Sequence, residues 1–163
     1  AEWAPIPSLL GVSAVHHHLV REETRTEVGL ILETGEPRDV HHFACLIGYG
    51  AGAINPYLVF ESLVDMEREG YFPESVDAAT AESKFIKAVN KGLLKIFSKM
   101  GISTVQSYCG AQIFEAIGLN NKLIDRFFTG TASRIEGIGL SEVGEETLRR
   151  HALAYRPVPM RQL

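Results

Sequence analysis

Residues 28–55 read VGLILETGEPRDVHHFACLIGYGAGAIN, and the order of patterns in this stretch decides the expected fold. The run at residues 28–32 is short and almost wholly apolar, as in strands that are covered on both faces within parallel sheets. After the turn ETGEP, Asp39 is the predicted N-cap of a helix over residues 40–48, which glycines close. Residues 51–55 predict a second strand. This order with short connections indicates an α/β fold with a parallel sheet.

Apolar periodicity predicts further helices on both sides of this unit. One covers residues 7–21, with Ser8 as a possible N-cap, and another covers residues 56–69. Residues 70–82 are polar and indicate a surface excursion. Beyond residue 101 we expect a strand at 102–107, a helix at 110–117, a short helix capped by Asn120, an irregular glycine-rich segment at 129–139, and a helix at 142–155 capped by Ser141.

The clearest helix is predicted to begin near Ser83 and to end near Met100, where Gly101 stops it. Its apolar residues share one face: Ile86, Val89, Leu93, Ile96, Phe97 and Met100. Five lysines line the opposite face: Lys84, Lys87, Lys91, Lys95 and Lys99. Such a face is either a solvated surface or the contact for an anionic partner.

Composition bounds the class of protein. The 163 residues, 45% of them hydrophobic, suffice for one globular domain of ordinary size. A formal net charge of −4 without a basic run argues against a nucleic-acid partner. No apolar run approaches the roughly 20 residues that cross a bilayer. Two cysteines are too few for a disulfide scaffold and favour reduced thiols in the cytosol.

Histidines and cysteines are the candidates for chemistry. Three histidines at residues 16–18 are adjacent in a predicted helix, so they point about 100° apart and cannot all bind one ion. His41 and His42 are also adjacent in a predicted helix, so they do not point toward one ion either. Cys45 is expected to pack in the core. Cys109 lies between a predicted strand and helix, where a helix N-terminus lowers a thiol pKa; it is either a nucleophile or a structural thiol.

Glycines cluster at residues 48–52, but they follow a helix and precede a strand, the reverse of a dinucleotide-binding fingerprint. The sequence also has no P-loop, no zinc-type spacing and no nucleophile elbow. Chemistry alone therefore predicts a helix-rich α/β fragment without an assembled active site.

Several stretches resemble the large subunit of glutamate synthase, and together they cover nearly the whole chain. The most specific are VHHFACLIGYGA and SKMGIST, at residues 40–51 and 98–104. The others are IPSLLGVSAVHHHLVR at residues 6–21, the wider stretches at residues 33–57 and 90–112, and GTASRIEGIG at residues 130–139.

The resemblance implies a part of a larger enzyme. That family makes two glutamates from glutamine and 2-oxoglutarate with NADPH, NADH or ferredoxin as reductant. A cysteine nucleophile releases ammonia, which passes through a tunnel to an FMN-bearing (β/α)8 barrel with an iron–sulfur cluster. A central domain, a degenerate barrel, lies between them. Residues 1–129 are then the C-terminal part of that central domain, and residues 130–163 lead into the FMN domain. The expected location is the cytoplasm, or a plastid in a photosynthetic eukaryote.

One unit within residues 28–58 is similar in outline to the phosphate-binding unit of flavin barrels. Two acids and a proline, Glu33, Glu36 and Pro37, stand where glycines are usual. Carboxylates repel phosphate and proline lacks an amide donor, so we expect this unit to bind no flavin.

No catalytic residue of the family carries over. Ala1 stands where the cysteine nucleophile would be, and two cysteines cannot supply a three-cysteine cluster site. Lys99, Ser103, Ser107 and Tyr108 lie where a strand is expected to end at a barrel mouth; they either pack or form a surface next to another domain or the tunnel. Three hypotheses remain open. The first is a scaffold segment, whose partners are the amidotransferase and FMN domains and which self-associates when it is isolated. The second is a free-standing module that binds a small anion or a protein, and the third is a minimal enzyme built on Cys109.

Overall fold

Two short parallel βαβ units, joined and covered by longer helices, make up residues 3–156, the part of the chain that the computed structural model describes. In chain order the elements are α1 (Ser8–Arg21), a 3-10 turn (Arg25–Glu27), β1 (Ile31–Glu33), α2 (Val40–Gly48), β2 (Ala53–Asn55), α3 (Tyr57–Arg68), α4 (Ala78–Lys99), α5 (Val105–Tyr108), β3 (Glu115–Leu119), α6 (Asn121–Phe127), β4 (Ala132–Ile138) and α7 (Leu140–Ala154).

The first unit confirms the predicted order of strand, helix and strand and the bounds of its helix, but β1 lies at Ile31–Glu33 instead of the predicted residues 28–32. β1 pairs in parallel with β2, with Leu32 opposite Ile54, and α2 is the crossover between them. Asp39 caps α2, because its carboxylate accepts the backbone N–H groups of His41 and His42. The expectation that the first strand is covered on both faces is wrong within the described residues, since Ile31 is 80% exposed.

Helix α4 starts five residues before the predicted Ser83. The carboxylate of Asp77 accepts the backbone N–H of Thr80 at 2.8 Å, so the helix begins at Ala78 inside the expected excursion. The predicted end is confirmed, and Gly101 follows it with φ +69°. The predicted apolar face is confirmed at its centre, where Val89, Leu93 and Phe97 are buried. The margins of that face are open, with Ile86 43% and Met100 52% exposed.

The predictions for residues 102–107 and 110–117 are wrong. Thr104 caps a single helical turn, α5, since its hydroxyl oxygen accepts the backbone N–H of Ser107 at 3.2 Å. A local cap therefore outweighs the β-branched composition of this stretch. The predicted helix at residues 110–117 is replaced by a loop and the start of β3.

A second parallel unit follows, and the sequence did not predict it. β3 and β4 pair in parallel with α6 as crossover, so the irregular segment expected at residues 129–139 is mostly a strand. The strands approach so closely that a Cβ on Gly137 would lie 2.3 Å from the carbonyl oxygen of Gly118. Asn120 does cap α6, as predicted, by accepting the backbone N–H of Leu123.

Two predicted serine caps are wrong. The residue before α1 is Pro7, and the Ser8 hydroxyl instead bonds to the Thr34 hydroxyl at 2.5 Å. α7 starts at Leu140, with Gly139 as its cap. The carboxylate of Glu142 accepts the Gly139 N–H at 2.7 Å, so Ser141 lies inside the first turn.

Three buried clusters hold these elements together. The largest lies between α2, α4 and α5, and contains Phe43, Ala44, Val89, Leu93, Phe97 and Tyr108. A second joins α1 to the first βαβ unit around Val12, Leu46 and Ala51. A third surrounds α6 and reaches α1. Within the described residues no helix is both long and apolar enough to span a bilayer.

Tyr108 is fully buried against the Phe97 ring, and its hydroxyl has no hydrogen-bond partner among the described residues. We therefore expect Tyr108→Phe to raise the free energy of unfolding by about 1 kcal/mol, because it removes a desolvated hydroxyl and keeps the ring. Tyr108→Ala should lower it by about 3–5 kcal/mol through the cavity it leaves. Urea denaturation followed by circular dichroism measures both. A clear loss of stability in Tyr108→Phe would contradict this account.

Candidate functional site

The turn after β1 is where a phosphate-binding unit would hold its anion, and a carboxylate of the chain already lies there. Glu36 accepts the backbone N–H of Ser8 at 2.8 Å, at the start of α1. Thr34 is buried, and its hydroxyl bonds to the Ser8 hydroxyl and accepts the Glu36 N–H at 3.2 Å. The positive end of the α1 dipole is thus compensated by a carboxylate from the same chain.

A cavity of about 320 Å³ opens beside this network. It is lined by Ser8, Leu9, Glu36, Pro37, His41, His42, Cys45 and Leu46. A phosphate placed here would meet the Glu36 carboxylate and lose one amide donor to Pro37. The residues present therefore do not fit the phosphate of FMN.

The side chains at the start of α2 are engaged with one another. The Arg38 backbone N–H donates to Nδ1 of His42 at 3.2 Å, and Nε2 of His42 lies 3.6 Å from Asp39. Nε2 of His41 lies 3.6 Å from the Cys45 Sγ. Burial, and to a smaller extent the charge of Asp39, raises the pKa of the half-buried Cys45 thiol. The thiol therefore favours its protonated, less reactive form. Cys45 lines the cavity and belongs to none of the three buried clusters, so the expectation that it packs in the core is wrong.

Cys109 follows α5 instead of preceding a helix. The N-terminal dipole that was expected to activate its thiol is absent at this position, because residues 110–114 are not helical. Burial raises the pKa of this thiol, and only Arg25 opposes the shift. The geometry gives Cys109 no feature that generates a thiolate near neutral pH.

The four residues expected at a barrel mouth differ in their burial. Lys99 is exposed at the end of α4, and Ser103 is exposed in the following loop. Ser107 is exposed on α5, where its hydroxyl accepts from the Thr104 hydroxyl at 2.8 Å. Tyr108 is buried, and burial raises its pKa to about 12. No strand ends at this point in the described residues. Tyr108 packs in the core, whereas the other three are available at the surface.

A second, smaller cavity of about 100 Å³ lies where the two βαβ units meet. Its lining consists of His16, His17, Gly48, Tyr49, Gly110, Ala111, Gln112, Phe114, Thr129, Gly130 and Thr131. The Tyr49 and Thr131 hydroxyls bond at 2.6 Å across the seam. Nε2 of His17 is buried and has no partner among residues 3–156.

Arg25 fixes this seam, and no pattern in the sequence predicted this role. Its guanidinium donates to Nδ1 of His16 at 2.9 Å, and to the carbonyl oxygens of Val28 and Gly50, each at 3.0 Å. Gly50 has φ +115°, and a Cβ there would lie 2.6 Å from Nδ1 of His16. Only glycine permits this approach.

The two half-buried histidines of α1 are held neutral. Burial, then the charges of His17 and Arg25, lowers the pKa of His16 to about 4. Burial, then Arg21, lowers the pKa of His17. His18 is exposed, so the three adjacent histidines do not converge. In the described part of the chain no group of three or more His, Cys, Asp or Glu side chains could hold a metal ion.

Comparison with known proteins gives this arrangement a context. The family described as "Glutamate synthase central domain" matches residues 1–120. The chain belongs to this glutamate synthase family. It is 55% identical over 152 residues to the glutamate synthase [NADPH] large chain of Bacillus subtilis (strain 168), covering 93% of this chain and 10% of that protein.

Relatives in other lineages agree. Glutamate synthase [NADH] of Saccharomyces cerevisiae is 45% identical over 168 residues, covering 99% of this chain and 8% of the relative. The ferredoxin-dependent glutamate synthase of Pyropia yezoensis is 44% identical over 172 residues, covering 100% of this chain and 11% of the relative. The chain thus spans about a tenth of the length of these relatives. The resemblance seen in the sequence motifs is confirmed.

For FMN we expect no saturable binding to this chain at micromolar concentration, because the Glu36 carboxylate occupies the anion position at the start of α1. Quenching of flavin fluorescence during titration measures this. The variant Glu36→Gly tests this reason for the exclusion of FMN, since it removes the carboxylate that repels the phosphate. Stoichiometric micromolar binding by the unmodified chain would contradict the expectation.

Acidification should destabilise the chain in a defined window. His16 has an ordinary pKa of 6.5 and a folded pKa of about 4, so between these values the unfolded chain binds more protons. The contribution of neutral His16 to the free energy of unfolding is therefore fully present above pH 6.5, and it is lost as the pH drops toward 4. Urea denaturation at pH 7, 6 and 5 should show the loss, and His16→Gln should reduce it. An equal loss in that variant would exclude His16 as the cause.

Proposed function

We propose that this chain is a scaffold segment of a glutamate synthase, which connects the amidotransferase and FMN synthase sites and is not catalytic alone. The observation that carries the proposal is the pairing of a family match over residues 1–120 with two cysteines, Cys45 and Cys109, whose surroundings in residues 3–156 do not activate their thiols. Both thiols have raised pKa values, and the turn suited to an anion is closed by Glu36.

The open strands support a fold that neighbouring chain completes. Each parallel sheet has two strands, and apolar side chains of both are exposed: Ile31 80%, Ile117 70% and Ile135 60%. Parallel sheets are normally covered on both faces, and an uncovered edge is a pairing surface. We infer that β1–β2 and β3–β4 are parts of one degenerate (β/α)8 barrel, whose other strands lie elsewhere in the parent chain.

Residues 1–129 then form the C-terminal part of the central domain, and residues 130–163 lead toward the FMN domain. The connecting segment begins with a paired strand, since β4 starts at Ala132 and pairs with β3. Lys99, Ser103 and Ser107 remain candidates for the surface next to the other domains or the tunnel, because their side chains are exposed.

By the same proposal the parent enzyme converts glutamine and 2-oxoglutarate to two glutamates in the cytoplasm, or in a plastid in a photosynthetic eukaryote. FMN and the iron–sulfur cluster would be held outside this segment, which has two cysteines and an acidic turn. The alternative is a free-standing module that binds a small anion or a protein. It is disfavoured for anions because Glu36 compensates the α1 dipole.

The gene itself gives the decisive test. We expect the reading frame to continue upstream into an amidotransferase and downstream into an FMN barrel. A frame limited to this segment, with turnover of glutamine and 2-oxoglutarate by the purified polypeptide and no added subunit, would overturn the proposal.

When made alone, the chain should self-associate through its open strands, so light scattering should show a mass that rises with concentration. Replacing Ile135 and Ile138 together by serine should lower that mass, because exposed apolar strand surface drives the association. Val105→Ser is the matched control, since Val105 is 52% exposed on α5, away from any strand. A monomer at high concentration in the unmodified chain would contradict this prediction.

A further inference from the structure

The basic charge of this chain is divided between two kinds of residue with different surroundings. Five of its six lysines lie on one exposed face of α4: Lys84, Lys87, Lys91, Lys95 and Lys99. We call this the lysine face. Arginines make most of the ion pairs among the described residues, as with Arg68 and Asp65 or Arg149 and Glu146. In residues 3–156 no lysine forms an ion pair.

The spacing of the lysine face works against the helix that carries it. Lys87, Lys91, Lys95 and Lys99 follow one another at i,i+4, where like charges repel and destabilise a helix. Compensating acids are missing, because residues 83–114 contain no Asp or Glu. A solvated face needs no such arrangement, since alternating signs would serve solubility and also stabilise the helix.

The rest of the chain is strongly acidic. Without the five lysines, 11 basic residues would stand against 20 acidic ones, a net charge of −9 in place of −4. The lysine face therefore gathers five positive charges on a chain whose remaining residues carry a net negative charge. At 1.5 Å per residue, the 15 steps along the helix from Lys84 to Lys99 span about 22 Å.

We propose that the lysine face binds a short acidic protein segment, such as a helix or strand with carboxylates along one side. Five point charges in single file match carboxylates repeated every three or four residues, which lie 5–6 Å apart on a partner helix. The contact is electrostatic, so it forms quickly and weakens with salt.

Other anions fit this surface less well. Phosphate recognition favours the bidentate guanidinium of arginine, and the lysine face has none. An extended polyanion or an anionic bilayer would extend beyond the lysine face and meet the rest of the chain, whose net charge without the five lysines is −9 and repels it. A bilayer would also need apolar side chains to insert, but the apolar centre of α4, at Val89, Leu93 and Phe97, is buried in the core.

The test uses a fluorescent 20-residue poly-L-glutamate peptide, with anisotropy measured at low ionic strength and in 0.5 M NaCl. The stripe variant combines Lys87→Gln, Lys91→Gln and Lys95→Gln. The charge-matched control combines Arg38→Gln, Lys122→Gln and Arg156→Gln, all exposed and off the lysine face. Far-ultraviolet circular dichroism checks that both variants fold.

We expect the unmodified chain and the control to bind the peptide at low salt and to release it in 0.5 M NaCl. The stripe variant should bind at least about tenfold more weakly, because three of five charges are gone. Equal weakening in the control, or no binding at low salt, would overturn the proposal. So would tighter binding of a 20-base-pair duplex DNA or of phosphatidylserine vesicles than of the peptide. Failure here leaves the scaffold function intact, since that function does not depend on α4 charges.

Discussion

Burial of α2 on two sides is the constraint on which the rest of this structure depends. Phe43 and Ala44 face α4, while Leu46 faces α1, and Ala44 is only 1% exposed. Because α2 is also the crossover of the first βαβ unit, these contacts fix β1 and β2 in parallel. The end of α2 then reaches the second unit, where the Gly48 carbonyl accepts the Gly110 N–H at 2.8 Å and Tyr49 bonds to Thr131.

The turn between β1 and α2 shows how a phosphate-binding outline becomes a structural element. An α-helix start offers unpaired N–H groups and a partial positive charge, which a bound anion or a carboxylate can satisfy. In this chain Glu36 provides the carboxylate for α1, and Asp39 provides it for α2. The unpaired N–H groups of a helix N-terminus bind an anionic ligand in other proteins. In this chain the N–H group at the start of α1 binds Glu36, which joins α1 to the first βαβ unit.

The chemistry of the interior agrees with a supporting role. Four buried or half-buried groups are held in their neutral forms, since burial raises the pKa of Cys45, Cys109 and Tyr108 and lowers that of His16. The charged groups lie outside, with acids spread over the surface and the lysines gathered on α4. Function is therefore expected at the exterior, through open strands and the lysine face.

The sequence by itself determined the features that depend on neighbouring residues. Caps such as Asp39 and Asn120 act within three residues, and the periodicity of α4 records its buried face, so these were predictable. Only the tertiary structure decided the second βαβ unit, because its strands exist through pairing between residues far apart, as at Gly118 and Gly137. The roles of Arg25 and Glu36 were hidden for the same reason: each acts across a gap in sequence that no local pattern spans.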